Sequence, residues 1–521
     1  MKTNTFINHL CILLAIFFVN ENLFAQKLKC KINEQEIVTS TCITVSSEVF
    51  DILQTTRTAQ YVKNNFVDLE NYNSLVKKTL NYLENNGYPF ASIYLDNIIE
   101  KSGTVFANLV INKNIRCTFD SIVVRGNIKI SKSYLKAYLN FTKRKPYNES
   151  IIKLIPQLVQ EIPFVTETQP SVLEFTEDKT SLYLFLDKKR INQFDGYLGL
   201  VPICEQTRKI AIYGAMNLHL MNLLTVGESI DLLWRASERF SQFLEIKANF
   251  PYLIGTPLGI DGLFMLDKKD TTYLNMNYII GISYSFRGNN YARIYFDYST
   301  SNLLNMNLFG NSDYFSYRDY KKTMYGFAFR FRQLDFIYNP HKGYELNLSS
   351  AMGVRKILDT RNFNEDKNDG LEMNSMRYKF EGKIRGYLPL HKRWVMVLGA
   401  EGGCMLGNQT LYNEFYRLGG LNSLQGFDDF SIRASSYGIG IIELRFFMGR
   451  IAYLNTFFNG AWYEQNSIDN YKRDFPFGFG LGVTFTTKAG IFYLSYALGK
   501  QSDNLISFKT GKIHFGLAVQ F

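Results

Sequence analysis

The feature that most restricts how this chain can fold is a long series of alternating segments that begins near residue 190. Each segment has about ten residues, is bounded by polar turns, and places successive side chains on opposite faces, as a β-strand does. Residues 375–387 show the pattern most clearly, because one face is charged and the other is mainly aromatic or aliphatic. The charged face holds Arg377, Lys379, Glu381, Lys383 and Arg385, and the apolar face holds Met376, Tyr378, Phe380 and Ile384.

This alternation predicts a transmembrane β-barrel. Such a barrel turns its apolar side chains to lipid and its polar side chains to the lumen, and its strands need about 9–11 residues to span the bilayer. Residues 190–521, at roughly 20 residues for each strand and turn, allow about 16 antiparallel strands. A soluble β-sandwich is the alternative, but it would rarely place five charges opposite so many aromatic side chains.

The last strand of the chain is the most regular. Its apolar side chains, from Ile513 to the terminal Phe521, alternate with polar or small ones. The segment resembles the β-signal of outer-membrane proteins, in which pattern positions are occupied here by His514, Gly516, Val519 and Phe521. Because that signal is read by assembly machinery, the resemblance implies that this protein is itself a client of such machinery.

The first 25 residues have the pattern of a removable secretory signal. Lys2 supplies a positive charge, an apolar run of about ten residues follows, and a small residue, Ala25, precedes the predicted cleavage site. The apolar run is too short for a membrane-spanning helix. Beyond it, Cys30 and Cys42 either pair in an oxidising compartment or both stay as free thiols.

Two small α/β modules are predicted between the signal and the barrel, over residues 26–114 and 115–189. Each has the order strand, helix, helix, strand, strand, which resembles the polypeptide-transport-associated (POTRA) domain. In the first module we predict a helix over 68–87 and strands over 89–95 and 104–112. The resemblance implies a periplasmic module whose sheet edge binds extended polypeptides by strand addition. A rigid spacer without a client role is the alternative.

The second module is predicted from its caps and its apolar spacing. A strand over 118–125 precedes two helices, which Ser131 and Asn148 can cap. Pro156 lies inside the second helix and should kink or shorten it. Strands over 171–175 and 182–186 complete the module.

A glycine-rich stretch over residues 416–427 interrupts the barrel strands. Gly419, Gly420 and Gly426 suit positions where the backbone has positive φ or lies close against another surface. The flanking residues are apolar, among them Phe427, so the stretch is not a solvated linker. We therefore expect a structured loop that is packed inside something.

Modules, barrel and glycine loop together resemble the BamA/TamA superfamily of outer-membrane protein assembly factors and two-partner secretion transporters. In that family the loop folds back into the barrel, and an arginine in it contacts acidic groups on the inner wall. This chain has Gln425 at the arginine position and Asn459 at one wall position, whereas Glu443 is retained. With both partners neutral, a Gln425–Asn459 hydrogen bond could still hold the loop without either charge. The alternative is that Gln425 is a drifted residue in a loop that no longer matters.

No catalytic residue, metal ligand or cofactor is predicted. The five histidines, at positions 9, 219, 341, 391 and 514, lack metal-site spacing, and the Gly478–Gly482 run precedes no helix, so its glycines are interpreted as strand glycines. The net charge of +11 is dispersed rather than clustered, so no nucleic-acid partner is expected.

The resemblance implies a factor for outer-membrane protein assembly, insertion or translocation, with an accessory, TamA-like role. Its partners would be unfolded outer-membrane or secreted polypeptides, outer-membrane lipid, and periplasmic or inner-membrane assembly proteins. The first and last barrel strands would meet at a seam that opens to template insertion. The alternative is a two-partner secretion transporter for one dedicated polypeptide. A passive porin would need no module over residues 26–190.

Overall fold

The computed structural model describes most of residues 40–520, and every structural statement below concerns those residues. Inside that range the residues not described are 102–103, 178, 205–208, 237–240, 305–316, 337–338, 359–371, 408–409, 422, 429, 450–451, 468–470, 488–489, 502–505 and 507–510. For 197, 200–204, 209–212, 486–487, 490 and 517–520 only the backbone is described. The predicted signal and Cys30 therefore lie outside the described residues, and Cys42 is a free thiol.

Residues 40–83 and 91–114 form one compact unit around a five-stranded sheet. Its elements, with the whole of α2, are β1 (Ser40–Val45), α1 (Ser47–Thr55), β2 (Val62–Lys63), β3 (Phe66–Val67), α2 (Leu69–Asn85), β4 (Ser92–Lys101) and β5 (Thr104–Asn112). The strand order is β2-β3-β1-β5-β4, in which β1 and β5 are parallel. Among the described residues of the sheet, β4 pairs with β5 alone, so its other side is an edge without a described partner.

The helix and strands predicted here form because their apolar side chains recur at the required spacing. Leu75, Thr79 and Leu83 lie four residues apart in α2 and are all buried, which places them on one face of the helix. Leu75 packs in a core with Ile43 and Leu53, which are also fully buried. The helix ends at Asn85, two residues before Gly87, which has φ +103°.

The second module has a three-stranded sheet covered by two helices. Its elements are β6 (Thr118–Arg125), α3 (Lys132–Tyr138), α4 (Glu149–Gln160), β7 (Val165–Thr176) and β8 (Lys179–Lys188). The strand order is β6-β8-β7, with β6 and β8 parallel. As expected, Asn148 caps α4, since its side chain accepts a hydrogen bond of 3.0 Å from Ile151 N. Ser131 occupies the N-cap position of α3 but makes no capping hydrogen bond with its side chain.

Pro156, which was expected to kink or shorten α4, does not shorten it. The helix continues to Gln160, and Pro156 lies within it. Proline removes the hydrogen bond that its own N–H would donate, and its ring crowds the carbonyl four residues earlier. The neighbouring Ile155, Leu158 and Val159 are buried in the core of the module, and this packing stabilises the helix across the lost bond.

Among the described residues, no helix is both long enough and apolar enough to cross a membrane.

The second module and the strands after it belong to one compact unit, residues 84–90 and 115–521. Tyr134 and Tyr138 of the module pack edge-on against Tyr252, with ring centroids 5.6 and 5.7 Å apart. Ser131 N also donates to Thr225 O at 2.8 Å. Tyr252 and Thr225 lie in two connections between barrel strands, so this module is docked on one end of the barrel, which we call the module end.

The rest of the chain closes into an antiparallel barrel. Its strands are β9 (Gln193–Cys204), β10 (Lys209–Met221), β11 (Ser229–Ala236), β12 (Gln242–Phe250), β13 (Leu258–Lys269), β14 (Tyr273–Arg287), β15 (Asn290–Leu303), β16 (Tyr320–Leu334), β17 (Gly343–Ile357), β18 (Asn374–His391), β19 (Trp394–Leu406), then, after the short β20 (Tyr416–Leu418) and β21 (Ile432–Ala434), β22 (Ser436–Phe447), β23 (Tyr453–Asn466), β24 (Tyr471–Asp474), β25 (Phe477–Thr487), β26 (Gly490–Lys500) and β27 (Lys512–Gln520). Because β24 and β25 both pair with β23, they count as one interrupted strand. The described strands therefore make a barrel of sixteen, as the alternation predicts.

The two faces of the wall are as the sequence predicts. On β18 the aromatic and aliphatic face is exposed on the outside, with Phe380 46% and Ile384 49% accessible. The charged face points inward, where Arg377 is only 4% accessible. Several strands are longer than the 9–11 residues that spanning requires, and β18 has 18 residues. The wall therefore continues beyond the apolar core of a bilayer.

Candidate functional site: a hairpin in the lumen and a short seam

A hairpin between β19 and β22 folds into the lumen of the barrel. We call residues 411–434 the luminal hairpin. Its base consists of residues 411–418 and 432–434, where β20 and β21 pair antiparallel. Its tip comprises the described residues of 419–431 and contains Gly419, Gly420 and Gly426 of the glycine-rich stretch. The hairpin lies in the lumen because it contacts inward-facing side chains of several barrel strands.

The base is anchored by a buried acid, Glu414, that lies among three basic side chains of the wall. Glu414 Oε2 lies 2.8 Å from Arg355 Nη1 and 3.7 Å from Arg377 Nη2, and Oε1 lies 3.8 Å from Lys322 Nζ. The Glu414 side chain is 2% exposed and Arg355 is completely buried. Since the three cations come from β16, β17 and β18, this one carboxylate joins the hairpin to three adjacent strands.

A second set of charges joins the base to the other side of the barrel. Arg417 forms an ion pair with Asp267 of β13 and donates to Tyr273 Oη at 2.6 Å. Arg433, which faces Arg417 across the hairpin, donates to the same Tyr273 Oη at 2.8 Å. Asn413 adds a hydrogen bond of 2.7 Å to Ser301 Oγ. The base is therefore tied to β13, β14 and β15 as well as to β16–β18.

Apolar contacts hold the hairpin against a third part of the wall. Leu418 and Leu424 of the hairpin are buried with Ile439 of β22 and Tyr463 of β23. Phe427 packs against the same cluster. An apolar patch on the lumen side of a barrel is unusual, because that face normally contacts water. Here the hairpin covers it.

The tip lies against a slot of glycines in the wall. Gly478 of β25 and Gly499 of β26 are directly paired, and a Cβ atom at either position would overlap a backbone carbonyl of the hairpin. The carbonyls are those of Gln425 at Gly478 and of Gly426 at Gly499. The hairpin glycines Gly419, Gly420 and Gly426 have φ of +112°, +90° and +98°. All three glycines thus have the positive φ for which glycine is suited.

The Gln425–Asn459 hydrogen bond expected from the sequence is not formed. Gln425 Nε2 donates instead to Leu421 O at 3.3 Å, within the hairpin itself. The amide oxygens of Gln425 and Asn459 are both buried without a hydrogen-bond partner. Glu443 does not bind the hairpin either, since it pairs with Arg445, two residues later on the same strand face, at 2.9 and 3.0 Å. The three predicted residues nevertheless line one luminal cavity of about 450 Å³.

The seam between the last and first strands of the barrel is short. Strand β27 pairs with β9 at two described positions, Val519 with Phe194 and Gln520 with Gln193. On its other side β27 pairs with β26 at seven positions, and β9 pairs with β10 at eleven. Residues 512–518 of β27 thus have no partner in β9 within the described part of the chain.

The predicted β-signal is the strand that forms this seam. His514 and Gly516 pair with Ser495 and Tyr493 of β26, and Val519 pairs with Phe194 across the seam. The outward direction expected for the apolar side chains holds for Ile513 and Phe515, which are 71% and 66% exposed. The side chain of Val519 and all of Phe521 lie outside the described residues.

Sequence reasoning missed the residues that anchor the hairpin most firmly. Glu414 lies two residues before the glycine-rich stretch, and an acid between the aromatic residues Tyr412 and Phe415 is the signal that could have indicated it. From the sequence alone, the three cations around Glu414 could be recognised only as charged residues on strand faces. Metal chemistry has no candidate, since no cluster of three His, Cys, Asp or Glu side chains with metal-site geometry occurs in the described ranges.

The fold and the site together define a class: transmembrane β-barrels that follow small α/β modules and enclose a hairpin of their own. The family model described as the Omp85 superfamily domain matches residues 222–521. That match covers more than half of the chain, so this protein belongs to the Omp85 superfamily, whose barrels are bacterial outer-membrane proteins.

Two solved structures of CdiB share this fold at low sequence identity. CdiB from Escherichia coli is 14% identical with a TM-score of 0.59, over 96% of this chain and 93% of that one. CdiB from Acinetobacter baumannii is 13% identical with a TM-score of 0.55, over 99% and 97%. BamA from Haemophilus ducreyi lacking POTRA domains 1–3 is 16% identical with a TM-score of 0.47, over 94% and 100%. No curated protein sequence matches the chain.

Proposed function

We propose that this protein inserts other polypeptides into the outer membrane, or translocates them, by offering them open β-sheet edges. It is an accessory assembly factor in this proposal, with its two α/β modules in the periplasm. Its partners are unfolded outer-membrane or secreted polypeptides, the surrounding lipid, and assembly proteins of the periplasm or inner membrane. The proposal involves no cofactor and no chemical step.

The observation that carries the proposal is the short seam. Opening a strand pair exposes N–H and C=O groups, which is costly in lipid unless another strand replaces the lost partner. Two described pairs join β27 to β9, whereas eleven join β9 to β10. The seam is therefore the pair of barrel strands that opens at the lowest cost, and an incoming strand can bind the exposed edge of β27.

Open edges in the α/β modules support the same role. In the described part of the first module β4 pairs with β5 alone, and Ile98 and Ile99 on it are 64% and 50% exposed. In the second module β7 pairs only with β8 among the described strands. An unpaired edge binds an extended chain through backbone hydrogen bonds and tolerates many sequences. Such edges suit a factor that handles many clients.

Depletion of the protein followed by quantitative proteomics of the outer membrane tests the breadth of the function. An assembly factor should lower the abundance of several barrel proteins together. Loss of one secreted polypeptide, with barrel proteins unchanged, would instead support the alternative, a two-partner transporter for a dedicated substrate.

A disulfide across the seam tests the proposed opening. The double variant Phe194→Cys/Val519→Cys places cysteines at directly paired positions. We expect its oxidised form to stop client insertion and its reduced form to restore it. The control is Leu218→Cys/Leu232→Cys, a directly paired position between β10 and β11. If the oxidised seam variant inserts clients as well as the control does, the opening model is wrong.

A further inference from the structure

Residue Asp428 connects the tip of the luminal hairpin to the last strand of the barrel. Its carboxylate lies 2.8 Å from Lys512 Nζ, and Lys512 is the first residue of β27. Asp428 is 70% exposed and Lys512 is 37% exposed, so water screens this ion pair. The contact therefore joins the hairpin to one side of the seam by a bond that breaks easily.

Two residues later, Phe430 connects the same tip to strands on the other side of the seam. Its ring lies 5.8 Å from the ring of Phe243, and the guanidinium carbon of Arg235 lies 5.8 Å from its centroid. Arg235 and Phe243 are directly paired between β11 and β12, so the two side chains share one face of the wall. An aromatic ring over such a pair gains both aromatic and cation–π contacts.

These contacts lie at the end of the seam where the strands are not paired. Lys512 is the first residue of β27. The two seam pairs lie at the other end of that strand, at Val519 and Gln520. Arg235 and Phe243 border the β11–β12 connection, which lies at the end of the barrel opposite the second module. The seam is thus hydrogen-bonded at the module end and bridged by the hairpin at the opposite end.

The backbone at Phe430 is strained. Phe430 has φ +59°, a left-handed conformation that is uncommon for a bulky residue and costs energy. Its ring contacts with Phe243 and Arg235 offset part of that cost.

We propose that Asp428 and Phe430 together act as a strap across the end of the seam that lies opposite the second module. The strap holds β27 next to the N-terminal strands through Asp428 on one side and Phe430 on the other. This inference rests on the proposed function, because it is the opening of the seam that the strap opposes. Asp428 and Phe430 are positioning residues, and an arriving client edge has to displace the strap before it can pair along β27.

Hydrogen exchange of the full-length protein in lipid vesicles tests the strap without any client. We expect Asp428→Asn and Phe430→Ala each to raise exchange of the backbone amides of residues 512–518 by roughly five-fold, the effect of losing one weak contact. Exchange in β16 and β17 should not change. The charge-swapped variant Asp428→Lys/Lys512→Asp should return exchange to the wild-type rate.

The matched control is Glu245→Gln, which removes an exposed ion pair with Lys247 (2.6 Å) inside the single strand β12. It should leave exchange at the seam unaltered. Unchanged exchange at 512–518 in both strap variants would overturn the proposal, as would an equal rise in β16 and β17, which would indicate general loosening. Because this readout contains no client, it separates a failure of the strap from a failure of the insertion role.

Discussion

The base and the tip of the luminal hairpin are held to the same barrel by opposite means. At the base, Glu414 is buried among three cations, and Arg417 pairs with Asp267. At the tip, the backbone at Gly426 rests in a glycine slot and Asp428 makes an exposed ion pair. Removing one partner from a buried ion pair is strongly destabilising, whereas an exposed pair contributes little. The base is therefore a fixed attachment, whereas the Asp428–Lys512 contact of the tip is a releasable one.

This difference indicates how the barrel can open without losing its hairpin. The strands that bind the base, β13–β18, lie away from the seam, so they can stay closed around Glu414 and Arg417. The strands that contact the tip include β25, β26 and β27, which lead to the seam. A seam that opens therefore has to break the exposed Asp428–Lys512 contact, while the buried ion pairs of the base stay in place. Substitutions at the base and at the tip should therefore lower stability by different amounts.

The largest effect is expected for Glu414→Gln. The change leaves three cations of the wall near a neutral side chain, and the loss of a buried partner of this kind costs about 3–5 kcal/mol. We expect the free energy of unfolding to fall by that amount in equilibrium denaturation, and the hairpin to become sensitive to protease. The control Glu401→Gln removes a partly exposed pair with Lys383 (2.7 Å) and should cost much less. Equal losses in the two variants would show that the base is not a special attachment.

A smaller effect is expected for Gly478→Ala, which tests the slot at the tip. The added methyl group would overlap Gln425 O, so the tip must move away from β25, at about 1–3 kcal/mol. We expect protease cleavage within residues 419–431 while the base stays protected. Gly438→Ala is the control, because its Cβ would meet nothing within 4 Å. A Gly478→Ala protein that is as resistant as the Gly438→Ala protein would argue against the slot.

Much of the fold could be predicted because its causes are local in the sequence. A strand's two faces follow from alternate residues, so 375–387 by itself indicated which side of β18 meets lipid. The helix caps and stops at Asn148 and Gly87 are equally local. Positive φ at Gly419, Gly420 and Gly426 was foreseeable because few other residues adopt it easily.

The candidate site was less predictable, because its contacts join residues that are distant in sequence. The cations around Glu414 lie 37, 59 and 92 positions before it and on three strands. Gly478 was interpreted as an ordinary strand glycine, since nothing near it indicates the carbonyl that it has to accommodate. The resemblance to the family directed attention to Gln425, but the ion pairs that hold the hairpin in this structure lie at its base.

The smallest effect is expected for Gln425→Ala, and it decides whether that residue still matters. Its side chain makes one hydrogen bond of 3.3 Å, to Leu421 O, and its amide oxygen is buried without a partner. A bond of this kind contributes about 0.5–1.5 kcal/mol, and removal of the unpaired oxygen offsets part of the loss. We expect slightly faster proteolysis of the tip than in the wild type, and far slower than in Gly478→Ala. If proteolysis and client insertion proceed at wild-type rates, the side chain at position 425 no longer has a role. The fit of the hairpin backbone against Gly478 and Gly499 then holds the tip without it.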